Sequence, residues 1–262
     1  MAANPISADN PQAQQAKKEI LLIFDFDNTI IDKNTDSEII KAQNLYGKCL
    51  SGERYLKNDL GWAETMSLAL ADLHQNNISQ KDIDKIIEDI PLTPGFEKVF
   101  EFLRQNQEKC ECIMLSHSNS YFIDLLVKKY SIGDCFDSIH TYEAEWMKDG
   151  PLLVKPYHPF LVNCQICPPD FCKGVFVETY REQTEWSRDM KWKNIFYVGD
   201  GTADFCAALS LQCHEHVLTR TGYSMHKRLL KDKGDKFKAN MIEWNNGHDV
   251  EKILKSRIDD AI

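Results

Sequence analysis

The sequence predicts an α/β fold: a doubly wound parallel sheet with an all-helical segment inserted after the first strand. Three observations carry this. Short apolar runs recur at "ILLIFDF", "CECIML" and "NIFYVG", each ending in acidic or small polar residues, as strands buried on both faces of a parallel sheet do. Helical periodicity separates the runs, which implies right-handed crossovers. Between the first two runs, from about Ser37 to Ile90, the text is helical throughout.

Taken in order, residues 20–26 read as the first strand, ended by the polar burst from Asp25 to Asp36. "SEIIKAQNLYG", "WAETMSLALADLHQN" and "SQKDIDKIIEDI" carry apolar residues at three and four spacing, and Ser79 with Asp82 forms a capping-box start. "PLTPGFEKVFEFLRQN" predicts a helix with Thr93 as N-cap and Pro94 at its first position. "CECIMLSHSNS" is a second strand, "YFIDLLVKKY" a helix, "DSIHTYEAEW" a third strand, and "EWMKDGPLLV" a hairpin turning at Asp149-Gly150. A cysteine-rich loop and a helix near 173–190 follow. "KNIFYVGDGTADFCAALSL" repeats the opening order of strand, acidic loop and helix, and a short strand near "HEHVLT" with helices near 225–233 and 249–258 completes the chain. The expected organisation is a polar, disordered leader over 1–18, a core of 19–35 with 92–262, and a helical cap over 36–91.

Composition narrows the function classes. The 262 residues with 43% hydrophobic content suffice for one large core. A net charge of -9 argues against nucleic-acid binding, which depends on Lys and Arg against phosphate. No apolar run approaches the roughly 18 residues of a membrane span, and the N-terminus has no apolar signal core. With nine cysteines and no secretory signal, reduced thiols in a cytoplasmic setting are expected.

In such a fold ligands bind beyond the carboxyl ends of the strands, which brings Asp25, Asp27, Ser116 and Asp200 to one edge. Asp25 and Asp27, two apart, repel each other unless a cation intervenes. Mg²⁺ bridges one or two carboxylates to a substrate phosphate, so the chemistry indicated is on a phosphate ester. One Asp would attack phosphorus while the other shuttles the proton. An EF-hand is excluded because Ile30 stands where that loop needs glycine. "GDGTAD" at 199–204 reads either as a tight turn or as a strand tip presenting Asp200, with Asp204 in the next helical turn. Ser116 can donate to a phosphoryl oxygen. A lysine is also required, and spacing alone does not choose it.

"DFDNT" after a strand, the "IMLS" strand end, a later Lys and "GDGTAD" together resemble the haloacid dehalogenase (HAD) superfamily of Mg²⁺-dependent phosphatases. More narrowly, "FDFDNTIIDKNTD", "LSHSNSYFID", "PYH" followed by "CQICPPDFCKG", and "MIEWNNGHDVEKIL" look like the phosphoethanolamine/phosphocholine phosphatase family, which includes pyridoxal phosphate phosphatases. The resemblance implies a Rossmann-like core, Asp25 as nucleophile and Asp27 as general acid/base whose carbonyl also meets Mg²⁺. It implies Ser116, Lys173, Asn28 and Gly201 at the phosphate, Asp200 and Asp204 at the metal, and Asp36, His117 and Asn119 at the substrate's far end. The helical insertion becomes a cap over a small phosphorylated metabolite, with Trp62 and Tyr46 available to stack on a pyridine ring or to form the cap's own core. The sequence departs from the family at His117, where a carboxylate is usual, and at Ala203, where many relatives have Asn.

Cys164, Cys167 and Cys172, with His158 upstream, have the ligand types of a structural Cys₃His zinc site. The alternative is a loop of reduced thiols. The remaining cysteines, Cys49, Cys110, Cys112, Cys135, Cys206 and Cys213, read as ordinary thiols.

Overall fold

A computed structural model describes residues 18–45, 61–232 and 236–259. Tyr46, Cys49 and nearly all of the expected leader lie outside the described residues. Six parallel strands, β1 (Ile20–Phe24), β2 (Cys110–Asn119), β3 (Ser138–Tyr142), β6 (Asn194–Gly199), β7 (His216–Arg220) and β8 (Asn240–Trp244), form one sheet in the order β3-β2-β1-β6-β7-β8. The order reverses between β1 and β6. That reversal opens a crevice at the carboxyl ends of these two strands, where such folds bind ligands. Every residue of β1 is buried, as its apolar run requires.

Three helices, α1 (Thr35–Leu45), α2 (Trp62–Gln75) and α3 (Gln80–Glu88), lie between β1 and β2, followed by α4 (Phe96–Gln105). The inserted helices do not stand alone. β4 (Ala144–Trp146) and β5 (Leu152–Val154) form an antiparallel hairpin, and Ser67 Oγ of α2 bonds both the nitrogen and the oxygen of Val154. The segment read as a single third strand is therefore two elements, β3 in the main sheet and β4 in the hairpin. Helices α5 (Ser120–Tyr130), α6 (Lys173–Arg188), α7 (Thr202–Leu209), α8 (Ser224–Asp232) and α9 (Gly247–Asp259) complete the fold. α4 packs on α9, α6 on α7, and α7 on α8.

Local starts follow their caps. Ser79 and Asp82 make the reciprocal capping box at α3. At α4 the expected Thr93 cap is replaced by Gly95, two residues later. Gly95 has φ +85, and a side chain there would strike His248. Gly247 in turn presses on the Gly95 backbone and donates its N–H to the Pro94 carbonyl. This glycine-to-glycine crossing, not a side-chain cap, sets where α4 begins. β8 carries no clear apolar run because "NMIEW" is a short edge strand, polar at Asn240 and Glu243 and exposed or half-exposed up to Trp244. No helix among the described residues is long and apolar enough to cross a membrane.

Candidate active site

β1 ends at Phe24, three residues short of where two same-face aspartates at 25 and 27 would need it to run. The Asp25 N–H makes a final rung with the Val198 carbonyl at 2.9 Å, after which the Phe26 carbonyl accepts the N–H groups of Thr29, Ile30 and Ile31. Asp25 and Asp27 therefore sit in a tight loop off the strand tip, not on a common strand face. Both line a cavity of about 290 Å³ with Asn28, Asp36, Trp62, Ser116, His117, Lys173, Asp200, Gly201, Ala203 and Asp204. A larger cavity of about 910 Å³, lined by Lys18, Cys110, Glu111, Asp137 and Arg188, opens at the start of β2. It lies at the wrong end of the strands for a site of this fold.

Lys173 organises the cavity floor. It is 2% exposed, and its Nζ lies 2.6 Å from Asp25 Oδ1 and 2.7 Å from Asp204 Oδ1. Burial works against its charge, but Asp204 and Asp25 outweigh that and hold its pKa above the usual lysine value. Asp204 also accepts from the Tyr197 hydroxyl at 2.6 Å and from the N–H groups of Asp200 and Gly201 at 3.0 and 2.7 Å. Those four donors fill the acceptor capacity of its carboxylate. Burial raises the pKa of Asp204, but Lys173 reverses this and brings it below normal. Asp204 thus fixes Lys173 and the Gly201 turn.

The other carboxylates are short of positive charge. Burial and the nearby charge of Asp204 push Asp25 up to about 6, because Lys173 is shared between the two. Burial, then the charges of Asp25 and Asp204, push Asp200 well above the carboxylate range. Thr29 Oγ1 lies 3.4 Å from oxygens of both Asp25 and Asp200. Asp25, Asp200 and Asp204 offer oxygens within 4.8 Å of one another. A divalent cation relieves that repulsion, and buried carboxylate oxygens are the donors Mg²⁺ prefers, so the donor set fits.

Asp27 points elsewhere. Its carboxylate accepts from Thr35 N at 3.0 Å, Thr35 Oγ1 at 3.1 Å and Asn34 Nδ2 at 3.2 Å. Its side chain lies outside the carboxylate trio, which leaves its carbonyl, the group the resemblance assigns, for a metal. Burial and the charge of Asp36 raise its pKa. Asp36 Oδ2 accepts from Trp62 Nε1 at 2.8 Å, and Oδ1 is buried with no partner among the described residues. Burial pushes Asp36 up to about 7, against the pull of that hydrogen bond.

Ser116 is fully buried, and its Oγ accepts from Ser118 N at 3.0 Å, which frees the hydroxyl hydrogen. Asn28, at φ +54, and Gly201 line the cavity, but their N–H groups are committed to Lys33 O and Asp204 Oδ2. Backbone contacts from these two to a phosphate are therefore ruled out in this arrangement. His117 packs between Tyr142 and Phe171, and burial pushes its pKa down to about 3, so the ring is neutral. Asn119 does not line the cavity. Its side chain caps α5 by accepting from Phe122 N at 3.1 Å, which corrects its assignment to the substrate.

Asp170 escaped the sequence reading. From the cysteine loop its carboxylate accepts the N–H groups of Trp62 and Ala63 at 3.1 and 2.9 Å and the Tyr142 hydroxyl at 2.9 Å. It caps α2 from outside and so aims Trp62 at Asp36. An acid more than a hundred residues from the helix it caps leaves no spacing signal. His158 is not part of the thiol cluster either: its ring stacks on Phe160, and Cys206 of α7 takes the expected fourth place beside Cys164, Cys167 and Cys172.

Known proteins match this chain along most of its length. The human pyridoxal phosphate phosphatase is 31% identical, the alignment covering 92% of this chain and all of the relative. The chicken phosphoethanolamine/phosphocholine phosphatase is 29% identical over 93% and 90% of the two chains. The fold is also that of a phosphoserine phosphatase solved as a phospho-aspartyl intermediate analogue, at 17% identity and TM-score 0.56, covering 92% of this chain and 99% of that one. The family model described as "Putative Phosphatase" matches residues 20–258, and the chain belongs to that family, within the HAD phosphatases.

Proposed function

We propose that this HAD-type phosphatase is a Mg²⁺-dependent phosphomonoesterase of small metabolites that works through an aspartyl-phosphate on Asp25. The observation that carries the reading is Lys173, buried and bonded to both Asp25 and Asp204 at the floor of a cavity at the sheet's switch point. Asp25 attacks phosphorus, and the bond from phosphorus to the ester oxygen breaks. Asp27, protonated at the start because burial and Asp36 raise its pKa, gives its proton to the leaving alkoxide. It then takes a proton from water, whose oxygen attacks phosphorus and releases phosphate from Asp25. Ser116 donates its free hydroxyl hydrogen to a phosphoryl oxygen, and Lys173 offsets charge there. Asp25, Asp200 and the Asp27 carbonyl would hold Mg²⁺, which supplies further neutralisation of the phosphoryl oxygens. The helices over 36–91, joined by the β4–β5 hairpin, act as the cap that excludes water.

The far end of the cavity selects the substrate. The bare Oδ1 of Asp36 needs a hydrogen-bond donor, and Trp62 stands beside it. Phosphoethanolamine supplies an ammonium N–H. Phosphocholine has no N–H to give and is expected to be poorer, all the more because neutral His117 adds no attraction for a cation. Pyridoxal 5'-phosphate is the second reading: its ring nitrogen can donate, Trp62 offers a stacking face, and the human relative carries that activity in its name. Phosphate release from phosphoethanolamine, phosphocholine, pyridoxal phosphate, thiamine monophosphate and phosphoserine, each with and without Mg²⁺, tests the proposal. Equal rates with and without Mg²⁺ refute the metal assignment, and equal kcat/KM across the panel refutes the role of Asp36.

A further inference from the structure

The second cluster of metal-ligating side chains lies outside the catalytic cavity. The sulfurs of Cys164, Cys167, Cys172 and Cys206 all fall within 4.8 Å of one another. Cys206 Sγ is 3.7 Å from Cys164 Sγ and 3.7 Å from Cys172 Sγ. A disulfide needs about 2.0 Å, so these are not bonded pairs. Tetrahedral zinc with Zn–S bonds of about 2.3 Å places its sulfurs roughly 3.8 Å apart, which matches the two distances from Cys206. Cys164 and Cys167 have the two-residue separation common to zinc ligand pairs. Cys164 Sγ further accepts the N–H groups of Ile166 and Cys167 at 3.4 and 3.3 Å.

We infer that Cys164, Cys167, Cys172 and Cys206 form a closed tetrathiolate site for a soft divalent cation of the zinc class, structural in role and separate from the carboxylate site. Four protein ligands leave no open position for chemistry. Soft sulfur selects zinc, whereas the oxygen cluster nearby selects a hard cation. On binding, each sulfur enters as thiolate and its proton passes to solvent. The site joins two pieces of the chain that carry the floor of the cavity. Cys172 precedes Lys173, and Cys206 follows Asp204 by two residues. Asp170, which caps α2, belongs to the same loop, so one ion would fix the lysine, its aspartate and the entry to the cap together. The site itself rests on the thiol geometry and not on the phosphatase reading.

The test uses the full chain expressed with zinc in the medium and purified without chelator. Elemental analysis is expected to find one zinc per chain, in the wild type and equally in Asp25→Asn. Exchange for Co²⁺ is expected to give the intense thiolate-to-cobalt charge-transfer and visible bands of a tetrahedral sulfur site. Cys206→Ser should lose that spectrum, and His158→Ala should keep it. Zinc at trace levels with no charge-transfer band overturns the inference, as does a spectrum unchanged in Cys206→Ser or lost in His158→Ala. Should Cys206→Ser fail to fold, alkylation of the wild type decides: zinc is expected to protect these four thiols, and equal labelling with and without zinc overturns the site. Asp25→Asn that is inactive yet zinc-replete separates this outcome from the catalytic proposal.

Discussion

Two clusters of four side chains meet at the start of α7, and they share almost nothing but location. Asp25, Asp200, Asp204 and Lys173 are charged and offer hard oxygens around a fixed cation. Cys164, Cys167, Cys172 and Cys206 are sulfurs that repel only once ionised. The chain feeds both from the same two places. Lys173 and Cys172 are adjacent at the start of α6, and Asp204 and Cys206 sit two apart on α7. Two residues turn a helix by about 200°, so α7 presents an acid to one cluster and a thiol to the other. The reactive cluster is left under electrostatic strain, with Asp25 and Asp200 both pushed up, while its neighbour is built to be held shut.

The sharpest break between the two clusters is Asp25→Asn. It removes the attacking oxygen and leaves every thiol in place, so phosphatase activity is expected to fall on the order of 10⁴-fold or more. Circular dichroism and the melting temperature should stay close to wild type. An active variant would end the aspartyl-phosphate mechanism. Lys173→Met comes next and cuts deeper into the fold. Asp25 and Asp204 lose their buried counter-charge, which costs about 3–5 kcal/mol for a broken buried pair, and kcat is expected to drop about 10²–10³-fold. A urea midpoint equal to wild type would show that Lys173 does not anchor the floor.

How far the sequence foretold each cluster follows from where its members sit in the chain. Asp25 and Asp200 were legible because each ends a buried apolar run, and the parallel order puts such ends on one edge. Ser116 was legible for the same reason. Lys173 was not chosen by spacing; it came only from the resemblance, since one lysine among many has no local mark. Three of the four thiols stood within one loop, but the fourth sits on a helix more than thirty residues on. His158 lies near the three in sequence and has a ligand's chemistry, but its ring stacks on Phe160. Asn119 was misjudged because an asparagine at a strand end serves equally as a helix cap, and here it does. What escaped in each case was a contact made across the fold, where sequence distance carries no information about spatial distance.

The far end of the cavity gives a smaller effect. Asp36→Asn keeps the shape and the Trp62 contact but replaces a charge with a neutral amide. The kcat/KM for phosphoethanolamine should fall about 10-fold, the value of one charge-assisted hydrogen bond of about 1.4 kcal/mol. Phosphocholine, with no N–H to donate, should change less. Equal losses for the two substrates would place Asp36 outside substrate recognition and return the selectivity question to Trp62.

The smallest effect concerns His117, which stands between the clusters, beside Phe171 of the cysteine loop and under the influence of Lys173, Asp204 and Cys172. Burial, and then the positive charge of Lys173, hold its pKa down to about 3 against an ordinary 6.5. As pH falls below 6.5 the unfolded chain protonates this imidazole and the folded chain does not. The unfolded state then binds more protons, so stability is lost as pH falls, by about 1.4 kcal/mol per unit while the difference lasts. Asp36, pushed up to about 7, titrates with the opposite sign, but it is present in both proteins when wild type is set against His117→Asn. The difference in unfolding free energy between the two, from urea titrations between pH 7 and pH 4.5, should therefore be flat above about 6.5 and then shift steadily in favour of the variant. A difference that stays constant across that range would mean that His117 titrates in the folded protein as it does in the unfolded chain and is protonated there below about 6.5. It would then carry a positive charge into the cavity, and the preference for an ammonium-bearing substrate would have to rest on Asp36 alone.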